Sequence, residues 1–282
     1  MTAIRKYVRS LICAGMVVAI LGCGLAPRPT AEPDLELELA PGVQIGVVTT
    51  SLGGLMLRDS VDSHEPGGGM WVTIEEVQPG QALTVSWQAT TERVIPPEGP
   101  TPVVGVGTPA PTPHTEVVTL EGTIGTDRLG DAHSALLPIY WSTFEDDTTD
   151  TSLMWLSQEA FDELKRTRQT RWSADVVTQL SNLPAEALAQ IADATEGREI
   201  YLKAEAEFVD FELSVNGAKA RLQAIRAFDD FGNEYLILDD AGNPLIVKFL
   251  FNPLSTDPFL LGPVWTLIKA VFSGYQVVEI RQ

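Results

Sequence analysis

Residues 201–228, YLKAEAEFVDFELSVNGAKARLQAIRAF, decide the fold because they contain a hairpin whose strand register is readable from the residues themselves. The dipeptide Asn216-Gly217 is typical of a two-residue hairpin turn. With this turn as the loop, apolar residues lie opposite apolar residues and acidic residues lie opposite arginines. The predicted pairs are Val209 with Ala224, Phe211 with Leu222, Glu212 with Arg221, and Glu207 with Arg226.

The apolar positions of this hairpin change phase partway along both strands. The first strand switches from one alternating apolar set to the other between Phe208 and Val209, and the second strand switches between Ala224 and Ile225. Successive side chains of a strand point to opposite faces of the sheet, so the two halves of the hairpin must bury opposite faces. We therefore predict a twisted or coiled arm that bends at this position.

Strand signals continue on both sides of the hairpin. Two turns of sequence Asp-Asp-x-Gly-Asn begin at Asp229 and Asp239, and they delimit strands at Glu234–Leu238 and Pro244–Phe251 that form a meander. Further predicted strands are Val43–Thr50, Trp71–Val77, Ala82–Ala89, Thr115–Ile124 and Tyr275–Ile280. The chain is therefore expected to be mainly β (α+β), with a twisted antiparallel sheet or an open barrel.

Two or three helices are predicted to pack on this sheet. Ser157 is a suitable N-cap for a helix at Gln158–Arg168, in which acidic residues come early and basic residues come late, as the helix dipole favours. A second helix is predicted at Leu183–Thr195, with a proline in its first turn and a glycine just past its end. A third candidate, Pro263–Phe272, precedes the closing strand.

The N-terminus begins with the basic residues Arg5, Lys6 and Arg9, and an apolar run from Leu11 to Leu21 follows them. This run is too short to span a bilayer as a helix. The layout, together with the tetrapeptide Ile20-Leu21-Gly22-Cys23 at its end, resembles the signal peptide and lipobox of bacterial lipoproteins. In that family the cysteine thiol accepts a diacylglycerol and the cysteine becomes the new N-terminus.

The resemblance implies that residues 1–22 are a signal peptide and that Cys23 is the lipidation site, carrying acyl chains such as palmitate. The mature protein would then be exported and held at a membrane by lipid rather than by a spanning helix. Gly24 follows the cysteine, which in this family implies the outer membrane if the organism has two membranes. In an organism with one membrane, the anchor would face the outside of the cell.

The composition after Cys23 predicts a tether followed by one folded domain. Residues 23–41 are rich in proline and acidic residues and are expected to form the tether, and residues 42–282 are expected to form the β-rich domain. Residues 95–114 contain many prolines and are predicted to be a disordered loop within that domain. In the alternative, residues 95–114 are a linker and residues 42–94 form a separate small domain.

Charge and cysteine content limit the function classes. The chain contains 19 Lys and Arg against 38 Asp and Glu, giving a formal net charge of −19, so nucleic acid is not an expected partner. Cys13 falls within the predicted signal peptide, which leaves Cys23 as the single cysteine afterwards. No disulfide, thiolate metal cluster or cysteine nucleophile is therefore predicted.

Two groups of residues suggest chemistry, but simpler interpretations account for both. Asp131, His133 and Ser134 are the residue types of a hydrolytic triad, yet triad members come from separate segments and no Gly-x-Ser-x-Gly motif is present. The Asp-rich turns after Asp229 and Asp239 are candidates for calcium, but they lack the spacing of a calcium loop. The acidic run Glu145-Asp146-Asp147 is a solvated loop by default. We predict no catalytic, cofactor-binding or metal-binding residue and no cofactor.

The tryptophans permit an envelope polysaccharide as a ligand, although burial in the core is the more common fate of Trp in a β protein. Exposed Trp beside carboxylates can stack on sugar rings, whereas buried Trp belongs to the core. The chain has six tryptophans, at positions 71, 87, 141, 155, 172 and 265. Trp87 and Trp155 lie in strand-like apolar runs, so the sequence predicts that both belong to the core.

These observations favour a lipid-anchored, non-catalytic envelope protein that acts as a binding or interaction module. Its expected partners are the membrane, through the lipid on Cys23, and an envelope protein, a glycan or an apolar ligand. The alternative is a carrier that holds an apolar ligand or lipid in a β half-barrel. A hydrolase or a calcium-binding protein is a third possibility. A filled core with an exposed aromatic groove would favour the binding module, and a large apolar cavity would favour the carrier.

Overall fold

The computed structural model describes residues 37–50, 69–95, 114–138, 141, 146–174, 199–252 and 274–282. Within these ranges the chain is mostly β, which confirms the predicted fold class. The α-helix of the described residues, α1, is Gln158–Thr167. The strands are β1 (Gln44–Thr50), β2 (Gly69–Gln78), β3 (Ala82–Ile95), β4 (His114–Thr126), β5 (Ser134–Ala135), β6 (Asp146–Thr149), β7 (Gln169–Arg171), β8 (Ser173–Ala174), β9 (Tyr201–Val215), β10 (Ala218–Asp229), β11 (Glu234–Leu238), β12 (Ile246–Leu250) and β13 (Gly274–Arg281).

Eleven strands form one sheet in the order β6-β4-β3-β2-β1-β13-β12-β11-β10-β9-β7. One edge of β13 is shared, because Gln276 pairs with Lys248 of β12 while Glu279 pairs with Ser214 of β9. Strands β9 to β13 therefore close on themselves, and we call them the ring. Strands β1, β2, β3, β4 and β6 continue from the other edge of β13, and we call them the open sheet.

The predicted antiparallel pairing holds for most of this sheet but not for all of it. Strand β9 meets β13 in a parallel direction, and β4 and β6 are also parallel. Strands β5 and β8 form a separate parallel pair. The sheet is therefore mixed. The parallel pair of β9 and β13 forms where the ring closes, and the parallel pair of β4 and β6 lies in the open sheet.

The predicted hairpin register is confirmed near the turn. Asn216 and Gly217 have φ angles of 51° and 81°, the left-handed conformation that a two-residue turn of this kind requires. Phe211 lies opposite Leu222, Val209 lies opposite Ala224, and Glu212 lies opposite Arg221. An ion pair joins Arg221 Nη2 to Glu212 Oε1 at 2.7 Å.

The predicted pairing of Glu207 with Arg226 is wrong, because β9 bulges before that rung. Ile225 still pairs with Phe208, but Ala227 pairs with Ala204, so three residues of β9 lie opposite the single residue Arg226 of β10. Arg226 Nε instead donates to Glu234 Oε1 at 2.7 Å. The bulge lies next to the predicted phase change, and a bulge bends its strand and increases local twist.

The predicted change of buried face is confirmed. Leu222 and Ala224 are buried on the distal half of β10, whereas Ile225 and Ala227 are buried on the proximal half. In β9, Leu202 is buried before the bulge and Phe211 is buried after it. The bulged residues 205–208 between them are exposed.

Helix α1 forms where the sequence predicts it. The Ser157 side chain accepts a hydrogen bond from the Ala160 N–H at 3.3 Å, and Arg168 takes a left-handed conformation at the C-cap. Phe161 and Leu164 are buried on its inner face. The predicted helices at 183–195 and 263–272 lie outside the described residues.

Strands β3 and β4 form a longer hairpin than the sequence predicts. The first was expected to end near Ala89, but it continues to Ile95, which pairs with His114 at the start of β4. Residues 90–95 read TTERVI, whose β-branched side chains favour the extended backbone. Of the predicted Pro-rich loop, residues 96–113 lie outside the described residues.

The folded unit described here spans Leu37–Gln282. Leu37 is buried, and its carbonyl accepts a hydrogen bond from Asn243 Nδ2 at 3.1 Å. The amide oxygen of Asn243 in turn accepts from Trp155 Nε1 at 2.7 Å. The last residues of the predicted tether therefore pack against the domain, at the turn between β11 and β12.

Candidate binding surface

The described tryptophans fall into two groups. Trp87, Trp141, Trp155 and Trp172 expose 3% of their surface or less, so the predicted core positions of Trp87 and Trp155 are confirmed. Trp71 on β2 is partly exposed. Trp265 lies outside the described residues. An aromatic residue available to a ligand is therefore present at position 71.

Trp71 faces outward because buried and partly exposed side chains alternate strictly in this part of β2. Its neighbours Met70 and Val72 are both buried on the inner face. On the outer face, Trp71 lies opposite Gly46 of β1 and Gln88 of β3. The alternation of an apolar strand with one covered face thus places the indole on the uncovered face.

The indole lies against the backbone of β1 because position 46 is glycine. A Cβ added to Gly46 would lie 3.1 Å from Cη2 and 3.2 Å from Cζ3 of Trp71, which is closer than ordinary van der Waals contact. Glycine inside a strand costs about 0.5–1 kcal/mol relative to alanine. The glycine therefore gives up intrinsic strand stability, and the ring of Trp71 occupies the space that a side chain would fill.

Arg281 covers part of the same indole. Its guanidinium carbon lies 4.1 Å from the ring centroid, which is a cation–π contact. Glu279 holds this guanidinium, accepting from Nε at 2.9 Å and from Nη2 at 3.3 Å. The hydrogen bond that Arg281 donates to Glu279 raises the pKa of Arg281, so the stacked group is a permanent cation.

Polar side chains surround Trp71 in two rungs across the strands. Thr73 lies beside Gln44 and Ser86 on one rung, and Glu121 lies beside Gln88 on the rung of Trp71. We define the Trp71 face as Gln44, Gly46, Trp71, Thr73, Ser86, Gln88, Glu121, Glu279 and Arg281. It combines one aromatic ring with amide, hydroxyl, carboxylate and guanidinium groups on a sheet surface.

The candidate triad residues do not meet among the described residues. The carboxylate of Asp131 is bound by Arg128 Nε at 2.8 Å, and both side chains are well exposed. His133 and Ser134 take part in backbone hydrogen bonds with Ser173 and Ser152. No hydrogen bond in the described ranges joins Asp131 to His133 or Ser134.

The carboxylate of Asp229 stabilises the turn between β10 and β11 by accepting hydrogen bonds. It accepts hydrogen bonds from the N–H groups of Phe231 and Asn233, from Asn233 Nδ2, and from Tyr235 Oη. Burial raises the pKa of Asp229 to about 6, against the lowering effect of these four donors. Its oxygens are thus occupied by the protein.

The second acidic turn is similarly engaged. Asp239 pairs with Lys165 of α1, and Asp240 Oδ1 accepts from the Gly242 N–H at 2.8 Å. The acidic run 145–147 was expected to be a loop, but Asp146 and Asp147 belong to β6, where they pair with Thr123 and Ile124 of β4. Asp147 Oδ1 accepts from the Thr148 N–H, and Glu145 lies outside the described residues. Within the described ranges, no group of three or more His, Cys, Asp or Glu is arranged to hold a metal.

A cleft of about 530 Å³ lies beside α1, and its lining is mostly charged. Its walls are Gly80, Gly130, Gln158, Glu159, Asp162, Glu163 and Arg166. The cleft therefore does not offer the apolar lining that a lipid carrier needs.

The core under the ring strands contains large side chains. One of them is the fully buried Tyr235, which packs edge-on against Phe249 with ring centroids 5.0 Å apart.

Neither a protein-family model nor any curated protein or solved structure matches this chain. The described part of the chain contains no helix of the length and apolarity needed to cross a membrane.

Sequence reasoning identified tryptophan as a possible ligand platform but missed Gly46 and Arg281. The available signal was the position of Trp71 between two apolar residues, which predicts an outward ring. The contributions of Gly46 and Arg281 depend on cross-strand neighbours that are far apart in the chain. The predicted lipidation site, Cys23, lies outside the described residues.

Proposed function

We propose that this chain is a lipid-anchored, non-catalytic envelope protein that acts as a binding module. Cys23 carries the lipid, and the Trp71 face is the binding surface. The observation that carries this proposal is the outward indole of Trp71, laid over Gly46 and surrounded by hydrogen-bonding side chains. Such a surface combines apolar contact with polar groups that fix a ligand's orientation.

The packing of the core favours this proposal over the carrier. Tyr235, Ile237 and Tyr275 on the ring strands are fully buried and belong to the hydrophobic core of the described residues. The cleft beside α1 is lined by Glu159, Asp162 and other polar groups that do not suit an acyl chain. A binding surface on the outside of the open sheet needs no internal cavity.

The anchor rests on the lipobox resemblance at residues 20–23. Two or more acyl chains on Cys23 provide stable membrane attachment without a spanning helix. Because the folded unit begins at Leu37, the segment 24–36 separates it from the lipid. The location is the outer membrane in a two-membrane organism and otherwise the outer face of the cell membrane.

The anchor is tested by metabolic labelling with palmitate. We expect the wild type to incorporate label and Cys23→Ala to lose it, because the thiol is the acceptor. Cys13→Ala is the matched control and should label like the wild type, since that cysteine precedes the cleavage site. Equal labelling of wild type and Cys23→Ala would contradict the lipid anchor.

The binding surface is tested in the same background, without the lipid. Cys23→Ala protein should sediment with a delipidated envelope fraction, and the double variant Cys23→Ala/Trp71→Ala should remain in the supernatant. Phe208→Ala is a suitable control because Phe208 is an exposed aromatic residue on the bulge of β9. If the Trp71 variant sediments as well as its parent, the Trp71 face is not the binding surface.

A further inference from the structure

We infer that the Trp71 face binds a neutral glycan, with one sugar ring stacked on the indole of Trp71 in the position that Arg281 occupies in the free protein. This inference rests on the proposed binding function and names the class of its ligand. It draws on three features of the site: a supported ring, a displaceable cover and a matching set of polar groups.

The ring of Trp71 is supported from below. Its Cη2 and Cζ3 atoms rest over Gly46, and a Cβ at that position would have to push them outward by a few tenths of an ångström. The backbone of β1 therefore fixes the tilt of the indole. A fixed aromatic plane loses little conformational freedom when a ligand stacks on it.

The cover over this ring is the guanidinium of Arg281, on an exposed side chain. The guanidinium of Arg281 stacks at 4.1 Å from the centroid, but 52% of the Arg281 side chain is exposed. Cation–π contacts at exposed sites are weak, so another flat group can take this place. Glu279, which accepts two hydrogen bonds from this guanidinium, gives it a second partner once it leaves the ring.

The surrounding groups match hydroxyls rather than charges. Gln88 and Glu121 are exposed and lie on the rung of Trp71, and together they offer both donors and acceptors. Glu121 and Glu279 provide two carboxylates against the single guanidinium of Arg281. With a formal net charge of −19 on the whole chain, a polyanionic glycan would be repelled. A neutral glycan has the apolar ring face and the hydroxyl groups that this surface fits.

The test measures binding of defined oligosaccharides to the full-length protein, purified in detergent, by isothermal titration and by tryptophan fluorescence. The probes are neutral β-1,4-linked hexamers of glucose and of N-acetylglucosamine, and a galacturonate hexamer is the anionic comparison. We expect at least one neutral hexamer to bind and to shift the tryptophan emission, and the galacturonate hexamer to bind at least tenfold more weakly.

The inference predicts opposite effects for substitutions of the two stacked residues, Trp71 and Arg281. Trp71→Ala should weaken neutral-glycan binding at least tenfold, because it removes the platform. Arg281→Ala should preserve or strengthen that binding, because it uncovers the ring. A purely structural stack between the two residues would instead make both variants behave alike. Gln88→Ala, which leaves the ring untouched, should weaken binding by a smaller factor.

A third variant covers the case in which Trp71→Ala fails to fold. Gly46→Ala keeps every functional side chain and shifts the indole slightly, so it should fold and bind more weakly. The inference is overturned if neither neutral hexamer binds, if the galacturonate hexamer binds better, or if Arg281→Ala weakens binding as much as Trp71→Ala does. If Trp71 is required for sedimentation with envelopes while no glycan binds, the proposed function stands and only the glycan is rejected.

Discussion

The ring and the open sheet are parts of one continuous sheet, yet they bury their residues differently. In β11 of the ring, the consecutive residues Tyr235, Leu236, Ile237 and Leu238 are all buried. In β2 of the open sheet, Met70, Val72 and Ile74 are buried while the residues between them are partly exposed. Strand β11 is therefore covered on both faces, and β2 is covered on one.

The segment that precedes α1 pairs with the chain at the start of β12. The Ile246 N–H donates to the Met154 carbonyl at 2.9 Å, and the Leu156 N–H donates to the Pro244 carbonyl at 3.0 Å. Trp155 lies between these contacts and is buried. The difference teaches that a ligand surface on this sheet has to lie on a face with exposed side chains, as the Trp71 face does among the described residues.

The largest expected effect tests this difference in covering directly. Ile237→Ala and Leu238→Ala, which remove neighbours on opposite faces of β11, should each lower the free energy of unfolding by about 2–4 kcal/mol. In β2, Ile74→Ala should cost a similar amount, but the outward Thr73→Ala should stay within about 0.5 kcal/mol. Urea unfolding followed by circular dichroism measures all four variants. A mild effect for either β11 variant would show that one face of the ring is not packed.

The second prediction concerns the pH dependence of the ring, through Asp229. Burial raises the pKa of this carboxyl from 3.8 to about 6 in the folded protein. A raised pKa means that the folded state binds the proton more tightly. The stabilisation is therefore fully present below about pH 4 and is lost as the pH rises through 6.

The comparison variant for this prediction is Asp229→Asn, which does not titrate. The free energy of unfolding of the wild type, relative to that of Asp229→Asn, should fall on the order of 3 kcal/mol between pH 4 and pH 7. Urea unfolding of both proteins at several pH values gives this difference. A difference that rises with pH would mean that the four hydrogen bonds outweigh burial and lower the pKa.

The hairpin of β9 and β10 shows how much of the ring is predictable from sequence. The Asn216-Gly217 turn and the alternation of Phe211 with its neighbours fix the register near the turn, because both signals are local. The phase change predicts a switch of buried face, but alternation alone does not say which strand takes the extra residues. The bulge in β9 was therefore missed, and with it the true partner of Arg226.

No local pattern in the sequence predicts that the ring closes. It depends on two parallel pairs, Glu279 with Ser214 and Ile280 with Val215, between segments far apart in the chain. The same holds for the Trp71 face, because Gly46 and Trp71 come from different strands and Arg281 comes from a third. Alternation predicts which way a side chain points, whereas the partner across the sheet depends on the tertiary arrangement.

The smallest expected effect concerns the exposed face of the hairpin of β9 and β10, where an ion pair lies across the two strands. Arg221 pairs with Glu212, and more than half of each side chain is exposed, so the pair is expected to contribute only about 0.2–1 kcal/mol. Arg221→Glu and Glu212→Arg alone should each destabilise the protein by a comparable amount. The double reversal restores opposite charges on the same rung and should be milder than either single change.

A double-mutant cycle measured by urea unfolding at low ionic strength isolates this pairwise interaction, because exposed charges are screened by salt. Lys219→Glu is a matched control for the change of charge, since Lys219 lies on the same strand but opposite Ser214 rather than opposite Glu212. Strictly additive effects of Arg221→Glu and Glu212→Arg would mean that the two side chains do not interact in solution. The register would then depend on the turn and on the buried pair of Phe211 and Leu222 alone, as in the fully packed part of the ring.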